Sequence, residues 1–338
     1  MKCSRILLKT LLTLGFLSTA FAHHSGSVFD RDRVIAVEGF ISQFHWGNPH
    51  VYIYVEVQTD LGSFVEWEIE TDATPILTRS GWTSDSLLPG DLITVRAHPD
   101  KRIEAHHALL VSIAKSTGET LAGRSYFLRE ENSELLSGAS DMSGVWELGL
   151  SAFRGFYAAW ANVVFTEKGI LSQAEYEILS DSPQAQCIAI PPPASLIAPN
   201  LNEITLHENS IVIRNERFNV ERTIYTDGRG HPENGELTNQ GHSIGWWEGG
   251  TLVVDTTLFE IHRSPIIGSG VSSGPHKHVV ERYTLSDDGT NIAIDFILED
   301  PEYLVEPFTG TVAWHYAPHF QMLGFDCDPE NAKRFTLE

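Results

Sequence analysis

The chain has 338 residues, of which 42% are hydrophobic and 20% charged, and its formal net charge at pH 7 is -22. A surface with this excess of negative charge repels nucleic acids and anionic membranes, which argues against proteins that bind either. The length is enough for two domains of ordinary size.

Residues 1–22 have the three parts of a secretory signal peptide. A basic start that includes Lys2 and Arg5 is followed by an apolar middle, and the small-residue pattern Ala20–Ala22 ends the segment. We therefore expect export, with a periplasmic or secreted mature protein that begins at His23. No later segment has enough consecutive apolar residues to span a membrane.

Cleavage of that signal removes Cys3 and leaves Cys187 and Cys327. In an oxidising compartment these two cysteines can form one disulfide, although their spacing does not show that they meet in space.

Residues 23–115 contain short runs of alternating apolar and polar side chains that predict strands. The predicted order is three strands, a helical turn and two more strands, which is the order of the OB-fold, a small five-stranded barrel. The predicted strands are Arg33–Trp46, His50–Val57, Phe64–Glu70, Leu92–His98 and His106–Ala114, and the helical turn is Thr74–Ser80.

Histidines cluster beside two connections of this predicted barrel. The first-to-second and fourth-to-fifth connections of an OB-fold form its usual binding edge. The histidines beside them are His45, His50, His98, His106 and His107. Neutral imidazole is the commonest metal ligand, and sites made of nitrogen suit copper, zinc or nickel, with Cu(II) favoured on affinity.

A mature chain that begins at His23 adds a chelating terminus, because its α-amine and imidazole can hold one ion together. We therefore predict a transition-metal site, for copper with zinc as the second choice. Its ligands are drawn from His23, His24, His50, His98 and His106.

Two considerations leave this prediction open. Each histidine also has an ordinary explanation in a turn or on the surface, and His106 and His107 point to opposite faces of a strand, so at most one of them faces a given site. The terminus enters at the start of the first strand, roughly 40 Å from the rim at about 3.3 Å per residue. It reaches the rim only if residues 23–32 run back extended, and otherwise the rim acts alone.

Residues 116–140 are polar and rich in glycine and serine, which predicts a linker. Residues 141–338 then carry short alternating strands separated by turns, which predicts an antiparallel barrel or sandwich, lipocalin-like, with one or two helices. The predicted strands are Glu203–His207, Ile211–Asn215, Asn219–Thr226, Thr251–Leu258, Val279–Leu285, Ile292–Leu298 and Thr311–Tyr316, and Thr166–Leu179 has helical spacing.

Two patterns in this second domain bear on catalysis. Gly241–Gly245 matches Gly-x-Ser-x-Gly, but a β-rich run follows where a hydrolase needs a helix, so a serine hydrolase is disfavoured. His231, His242 and His276 lie in turn-rich segments, with His278 just before a strand. An enzyme using them requires convergence with a carboxylate such as Asp227, whereas solvated loop histidines are the ordinary alternative.

Two groups of motifs resemble exported bacterial proteins of unknown function. Ala22–Ser25 with Trp46–His50 is similar to the Ala-His-His-Ser junction and Trp-x-Asn-Pro-His motif of one domain of unknown function. Arg222–Gly230 and Glu299–Tyr303, with Ser143–Trp146 and Trp247–Thr257, resemble a second family without assigned activity. The resemblance implies the division into two domains. It also implies that His23, His24 and His50 belong to one common feature of the first domain.

These observations favour an exported two-domain β-protein that handles a transition metal rather than catalyses a reaction. The alternative is a periplasmic carrier whose second barrel holds an apolar or aromatic small molecule.

Overall fold

The computed structural model describes residues 28–102, 104–123, 138–263 and 270–337. The predicted signal peptide and the predicted ligands His23 and His24 lie outside these ranges. Among the described residues, no helix combines the length and the apolar character needed to cross a bilayer.

The first barrel has the predicted OB topology. Strand β1 pairs antiparallel with β2 and with β4, and β3 pairs parallel with β5, which closes the barrel. Its elements are β1 Ile35–His45, β2 Tyr52–Gln58, β3 Phe64–Glu70, α1 Thr74–Arg79, β4 Leu92–Pro99, β5 His107–Lys115 and β6 Thr120–Ala122. Strand β6 falls in the predicted linker, but it pairs with β5 and extends the sheet.

The alternating pattern of β1 decides which side faces the core of this barrel. Val37 and Ile41 are 6% and 2% exposed and point inward. Gly39 lies between them on the same face, and a Cβ there would be 2.3 Å from the carbonyl oxygen of Glu56. A side chain at that position would therefore push β2 away from β1.

The second barrel is closed and, within the described residues, has nine strands in the order β10-β11-β12-β15-β16-β17-β7-β8-β9. Its strands are β7 Gly144–Leu148, β8 Asn202–Leu206, β9 Ser210–Asn215, β10 Val220–Tyr225, β11 His242–Glu248, β12 Thr251–Thr257, β15 His278–Leu285, β16 Asn291–Glu299 and β17 Phe308–Tyr316. The mainly β architecture of two barrels, predicted from the sequence, is confirmed.

The remaining elements lie between and around the barrel strands. They are the helices α2 Leu150–Trp160, α3 Glu167–Ala174, α4 Ile178–Asp181 and α5 Pro329–Leu337, the short 3-10 turns Gln184–Gln186, Ala194–Ile197 and Arg217–Asn219, and the strand pair β13 His262–Arg263 and β14 Ser272–Ser273. Helix α3 covers the first part of the predicted helix, and its cap Thr166 accepts a hydrogen bond from the Gly169 amide at 3.1 Å.

Large side chains fill the interior of the second barrel. Trp146 and Trp314 are 0% and 1% exposed, and the Tyr283 ring lies 6.0 Å from that of Trp314. A buried ion pair between Arg222 and Glu281 crosses the same interior, at 2.5 Å. The aromatic residues therefore pack against one another and against this pair.

The two barrels are joined by a C-terminal segment and a buried ion pair. Cys187 and Cys327 form a disulfide, a pairing that the sequence allowed but left open. Arg79 of α1 donates to Glu216 of the second barrel at 2.8 Å, and the Glu216 side chain is 0% exposed. Separating Arg79 from Glu216 would leave a buried charge without its partner, which is energetically costly. The pair therefore favours this arrangement of the two barrels.

Candidate functional site

The end of the first barrel brings together some of the predicted ligands. His50 Nδ1 lies 2.6 Å from one oxygen of Glu70, and His107 Nε2 lies 3.9 Å from the other. His107 Nδ1 is 3.3 Å from Asp100. His50, just before β2, and His107 of β5 both meet Glu70 because β3, which ends at Glu70, pairs with β2 on one side and with β5 on the other.

The other two predicted rim ligands point elsewhere. His98 Nδ1 is 2.8 Å from the carbonyl oxygen of Arg33, and the ring of His106 packs edge-on against Trp67 with centroids 5.3 Å apart. The alternation of β5 thus puts His107, and not His106, beside His50.

The first described residues lie at this same end of the barrel, whereas the sequence placed the start of β1 at the opposite end from the rim. Ile35 pairs with Ala97, so the end of β4 lies beside the start of β1. The Phe29 ring is 4.7 Å from the ring of His107. The first described residues therefore contact the histidine that faces Glu70.

The carboxylate of Asp100 at this rim is already paired with Arg102 and His107. Burial raises the pKa of Asp100, but hydrogen bonds from Arg102 and His107 outweigh burial and bring the pKa to about 2. Within the described ranges, no group of three or more His, Cys, Asp or Glu side chains is arranged to hold a metal ion. The copper and zinc predictions therefore have no cluster to support them in this part of the chain.

The Trp46–His50 motif has a clear structural task at the junction of the barrels. The Asn48 side-chain oxygen accepts from the Thr74 amide at 2.8 Å and so holds the start of α1. The Asn331 side chain donates to the carbonyl oxygen of His50 at 2.5 Å. His45 Nε2 lies 3.3 Å from Asp328, so the motif region is covered by the C-terminal segment.

A second group of histidines lies on the outer face of the second barrel. His278 opposes Glu299 in the β15–β16 register, and its Nδ1 is 2.9 Å from that carboxylate. Its Nε2 is 3.1 Å from Asp255, whose other oxygen is 2.9 Å from Nε2 of His231. His231 Nδ1 lies 2.8 Å from Nδ1 of His242.

These contacts form a continuous row, which we call the histidine row: Glu299, His278, Asp255, His231 and His242. Strand alternation explains it, because residues 242, 255, 278 and 299 occupy outward positions on neighbouring strands β11, β12, β15 and β16. His231 comes from the loop between β10 and β11 and joins two of them.

The histidine pKa values differ between the two ends of the row, since that of His278 is raised and that of His242 is lowered. The hydrogen bond to Asp255 outweighs burial and, with Glu299, raises the pKa of His278 to about 9. Burial raises the pKa of Asp255, but hydrogen bonds from His278 and His231 outweigh it and hold the net pKa below the ordinary value. Burial, with nearby His231 and Arg229, lowers the pKa of His242.

His242 also borders a cleft of about 310 Å³. The cleft forms where β10 and β11 pair in parallel through only Ile224–Ser243 and Tyr225–Ile244, and the connecting loop folds back beside them. Its walls are Glu221, Arg222, Thr223, Tyr225, Pro232, Gly235, Glu236, Thr238, Gln240, Gly241, His242, Ser243 and Leu258. The Tyr225 ring stacks on His242 at 5.3 Å and 25°.

Ser243, the serine of the Gly-x-Ser-x-Gly pattern, borders this cleft, but its hydroxyl is buried and hydrogen-bonded. It is 1% exposed, and its hydroxyl accepts from Arg222 Nε at 2.9 Å and lies 3.0 Å from the Thr256 hydroxyl. The serine therefore belongs to the buried polar network of the barrel.

The structure changes the partners expected for the histidines of the second domain. Asp227 pairs with Arg229 at 2.6 Å, and His276 pairs with Glu302 at 2.5 Å while remaining 72% exposed. The carboxylate beside His231 is Asp255, which also contacts His278, and His242 reaches it only through His231. Its outward position in the alternating run of β12 was the available signal, but the register that places it beside His278 is not visible in sequence.

A larger depression of about 640 Å³ lies between β1 and α5. The charged side chains along it pair with one another, as Lys333 does with Glu330 at 2.8 Å and His45 with Asp328 at 3.3 Å. This surface is the junction of the barrels, and the cleft at His242 is the better candidate for a ligand.

Comparisons with known proteins assign part of the chain. Residues 12–109 match a family model described as a family of unknown function (DUF6152), and the rest of the chain is unassigned. A search of curated proteins gave no match. A crystal structure of a mutant of the fluorescent protein UnaG is similar at 10% identity and a TM-score of 0.26, over 52% of this chain and 95% of that chain. A likeness at this level carries no weight for fold or ligand.

Proposed function

We propose that this is an exported small-molecule-binding protein and that its ligand occupies the cleft beside His242. The observation that carries the proposal is the 310 Å³ space at the short parallel pairing of β10 and β11. The carrier interpretation of the sequence placed an apolar or aromatic ligand in the second barrel. Trp146 and Trp314 are packed inside the barrel, so we place the ligand in the cleft on the barrel wall instead of in the interior.

The cleft suits a molecule with an aromatic or apolar part and one polar group. Tyr225, Pro232 and Leu258 offer the apolar contacts, and His242 offers a ring nitrogen within a partly buried setting. The volume of this cleft lies at the lower end of the range that is usual for small-molecule binding sites.

A fluorescent titration tests this proposal with phenylnaphthylamine, an apolar aromatic probe whose emission rises on binding. We expect saturable binding to the parent and its loss in Thr223→Trp, because the indole fills the cleft. Thr309→Trp is the matched control, since Thr309 is exposed on β17, well away from β10 around the barrel. Absence of saturable binding, or equal binding in Thr223→Trp, contradicts the proposal.

Transition-metal handling at the end of the first barrel is the second candidate. It is supported by the approach of His50 and His107 to Glu70 and by the contact of Phe29, a few residues after His24, with the His107 ring. In this candidate the α-amine and imidazole of His23 join His50, with His24, His98 and His106 remaining predictions. Copper is the expected metal, and zinc is the second choice.

Copper titration distinguishes this candidate from adventitious binding. The protein that begins at His23 should bind Cu(II) more tightly than a form with one extra residue before His23, and more tightly than His50→Ala. Binding that is micromolar or weaker and equal in all three forms contradicts it.

A further inference from the structure

The proton arrangement along the histidine row follows from its acceptors. Both ring nitrogens of His278 face carboxylates, Glu299 and Asp255, so both carry protons. Ionised Asp255 also accepts from Nε2 of His231. When Nε2 is the only protonated nitrogen of His231, its Nδ1 is an acceptor and takes the hydrogen bond from Nδ1–H of His242.

This arrangement leaves a lone pair on Nε2 of His242. The pKa of His242 is lowered by burial first, then by His231 and Arg229, so the ring is neutral at pH 7. The charged groups around His242 act in both directions. Arg229 disfavours a positive charge on this ring. Asp255, through His231, favours one, and so do the cleft carboxylates Glu221 and Glu236.

We infer that the cleft is a hydrolytic site in which Nε2 of His242 is the general base and uncharged small esters are the substrates. The inference rests on the proposed binding cleft and adds a reaction to it. His231 and Asp255 are positioning residues, because they hold the tautomer of His242 and receive its charge. The geometry supplies what a general base requires, which is a neutral imidazole beside a ligand space and an acceptor behind it.

The reaction balances with water as the second reactant. Nε2 of His242 takes a proton from water while the water oxygen bonds to the acyl carbon. The Nδ1 proton moves to Nδ1 of His231, where Asp255 stabilises the cation. When the bond from the acyl carbon to the leaving oxygen breaks, the protons shift back and Nε2 protonates that oxygen. One ester and one water give one carboxylic acid and one alcohol.

The charge of the cleft selects an uncharged substrate. Glu221 and Glu236 both line it, and like charges in partly screened surroundings repel, although Arg214 lies 3.1 Å from Glu221 and offsets part of that charge. An ester without charge enters freely, whereas the carboxylate product is repelled. An anionic ester should therefore react more slowly than a neutral ester of the same leaving group.

Hydrolysis of p-nitrophenyl acetate tests the inference, with release of p-nitrophenol as the readout. His242→Asn keeps an amide near Nδ1 but removes Nε2, and we expect kcat to fall by about 10² to 10⁴, the usual contribution of a general base. Asp255→Asn should lower kcat by roughly tenfold with a smaller change in KM, because it removes the negative charge that stabilises the cation formed on His231. His276→Asn, which alters an exposed histidine outside the row, should leave the rate unchanged.

The pH profile and the charge of the ester separate catalysis from a structural role. In the parent, kcat/KM should rise with pH below about 6.5 and then level off, because only neutral His242 accepts a proton. The Asp255→Asn variant should move that rise. The anionic p-nitrophenyl hemisuccinate should react more slowly, and Glu221→Gln with Glu236→Gln should reduce the difference.

Rates for His242→Asn within threefold of the parent overturn the inference, whatever the other variants do. If phenylnaphthylamine still binds in the parent and is lost in Thr223→Trp, the proposed binding function survives that result. If the probe does not bind but the His242-dependent hydrolysis is found, the binding proposal for apolar ligands fails and the catalytic inference stands.

Discussion

The two barrels each gather histidines and carboxylates at one surface, but the surroundings of the two groups differ. At the end of the first barrel, the Glu70 side chain is 2% exposed, with Phe29 against His107 and Asn331 bonded to the His50 carbonyl. On the second barrel, Asp255 is 22% exposed, and the row ends at His242 on the edge of a cleft.

The difference shows what converts a histidine cluster into a candidate site. In the first barrel the imidazoles are enclosed by packing, so their contacts with Glu70 and Asp100 contribute to stability. In the second barrel one imidazole keeps a nitrogen beside open space, and the others adjust its charge. Convergence of histidines is therefore not enough, and access to a ligand decides between the two outcomes.

Removal of the disulfide should break the enclosure of the first barrel and have the largest effect on stability. Cys187 and Cys327 are separated by 140 residues in sequence. The chain-entropy model predicts that Cys187→Ser with Cys327→Ser lowers the free energy of unfolding by about 3 to 5 kcal/mol. Urea unfolding measures this loss, and an unchanged midpoint would contradict it.

The same double variant has a spectroscopic control. Cys327 lies next to Asp328, which contacts His45, and close to Asn331, which bonds to the His50 carbonyl. The imidazole signals of His45 and His50 should shift in NMR spectra, while those of His231 and His242 should stay in place.

Substituting one carboxylate in each histidine cluster should show which cluster contributes more to the free energy of unfolding. Glu70→Gln removes a buried charge that faces two imidazoles, and we expect a loss of about 2 to 4 kcal/mol in unfolding free energy. Asp255→Asn acts at a partly exposed carboxylate and should cost about 1 kcal/mol. The reverse order in urea unfolding would mean that the histidine row is the structural cluster.

The smallest expected effect is the pH dependence contributed by His278. Its pKa is raised from 6.5 to about 9 in the folded protein, chiefly by the hydrogen bond to Asp255. The stabilisation is complete below the unfolded pKa and is lost as pH rises through the folded pKa. Because the side chain is 31% exposed, screening reduces the contribution to about 1 kcal/mol.

The variant His278→Gln should therefore lose more stability at about pH 6 than at about pH 10. NMR titration of the His278 ring in the parent gives the direct check. A midpoint close to the ordinary histidine value would refute the proposed protonation of the row.

Most of the fold was readable in the sequence, because alternation of apolar residues marks strands and their order marks the first barrel. Runs such as Tyr52–Gln58 and Asn291–Glu299 have strong alternation. Helix α2 lies before the predicted helix Thr166–Leu179 and was not predicted. Strand β6 is only three residues long and lies in a polar stretch, so its pairing with β5 gave no sequence signal.

The sites were less predictable, because they depend on register and on closure. The sequence named His231, His242 and His276 only as histidines that an enzyme would have to bring together, and the choice of Asp255 over Asp227 depends on how β12 pairs with β11 and β15. In the first barrel, alternation shows that His106 and His107 face opposite sides. Only the contact of β3 with β5 shows that His107 is the one that faces inward.

The contact of the C-terminal segment with Asn48 and His50 has a consequence for the order of synthesis. A polypeptide emerges from the ribosome with its N-terminal residues first, so β1 to β5 are made long before Cys327 and Asn331 exist. Until the C-terminal segment is synthesised, the surface of the first barrel around Asn48 and His50 is not covered by Cys327 and Asn331. Maturation of the earlier domain thus depends on completion of the later one, and a fragment that ends after β6 would expose a surface that the whole chain keeps hidden.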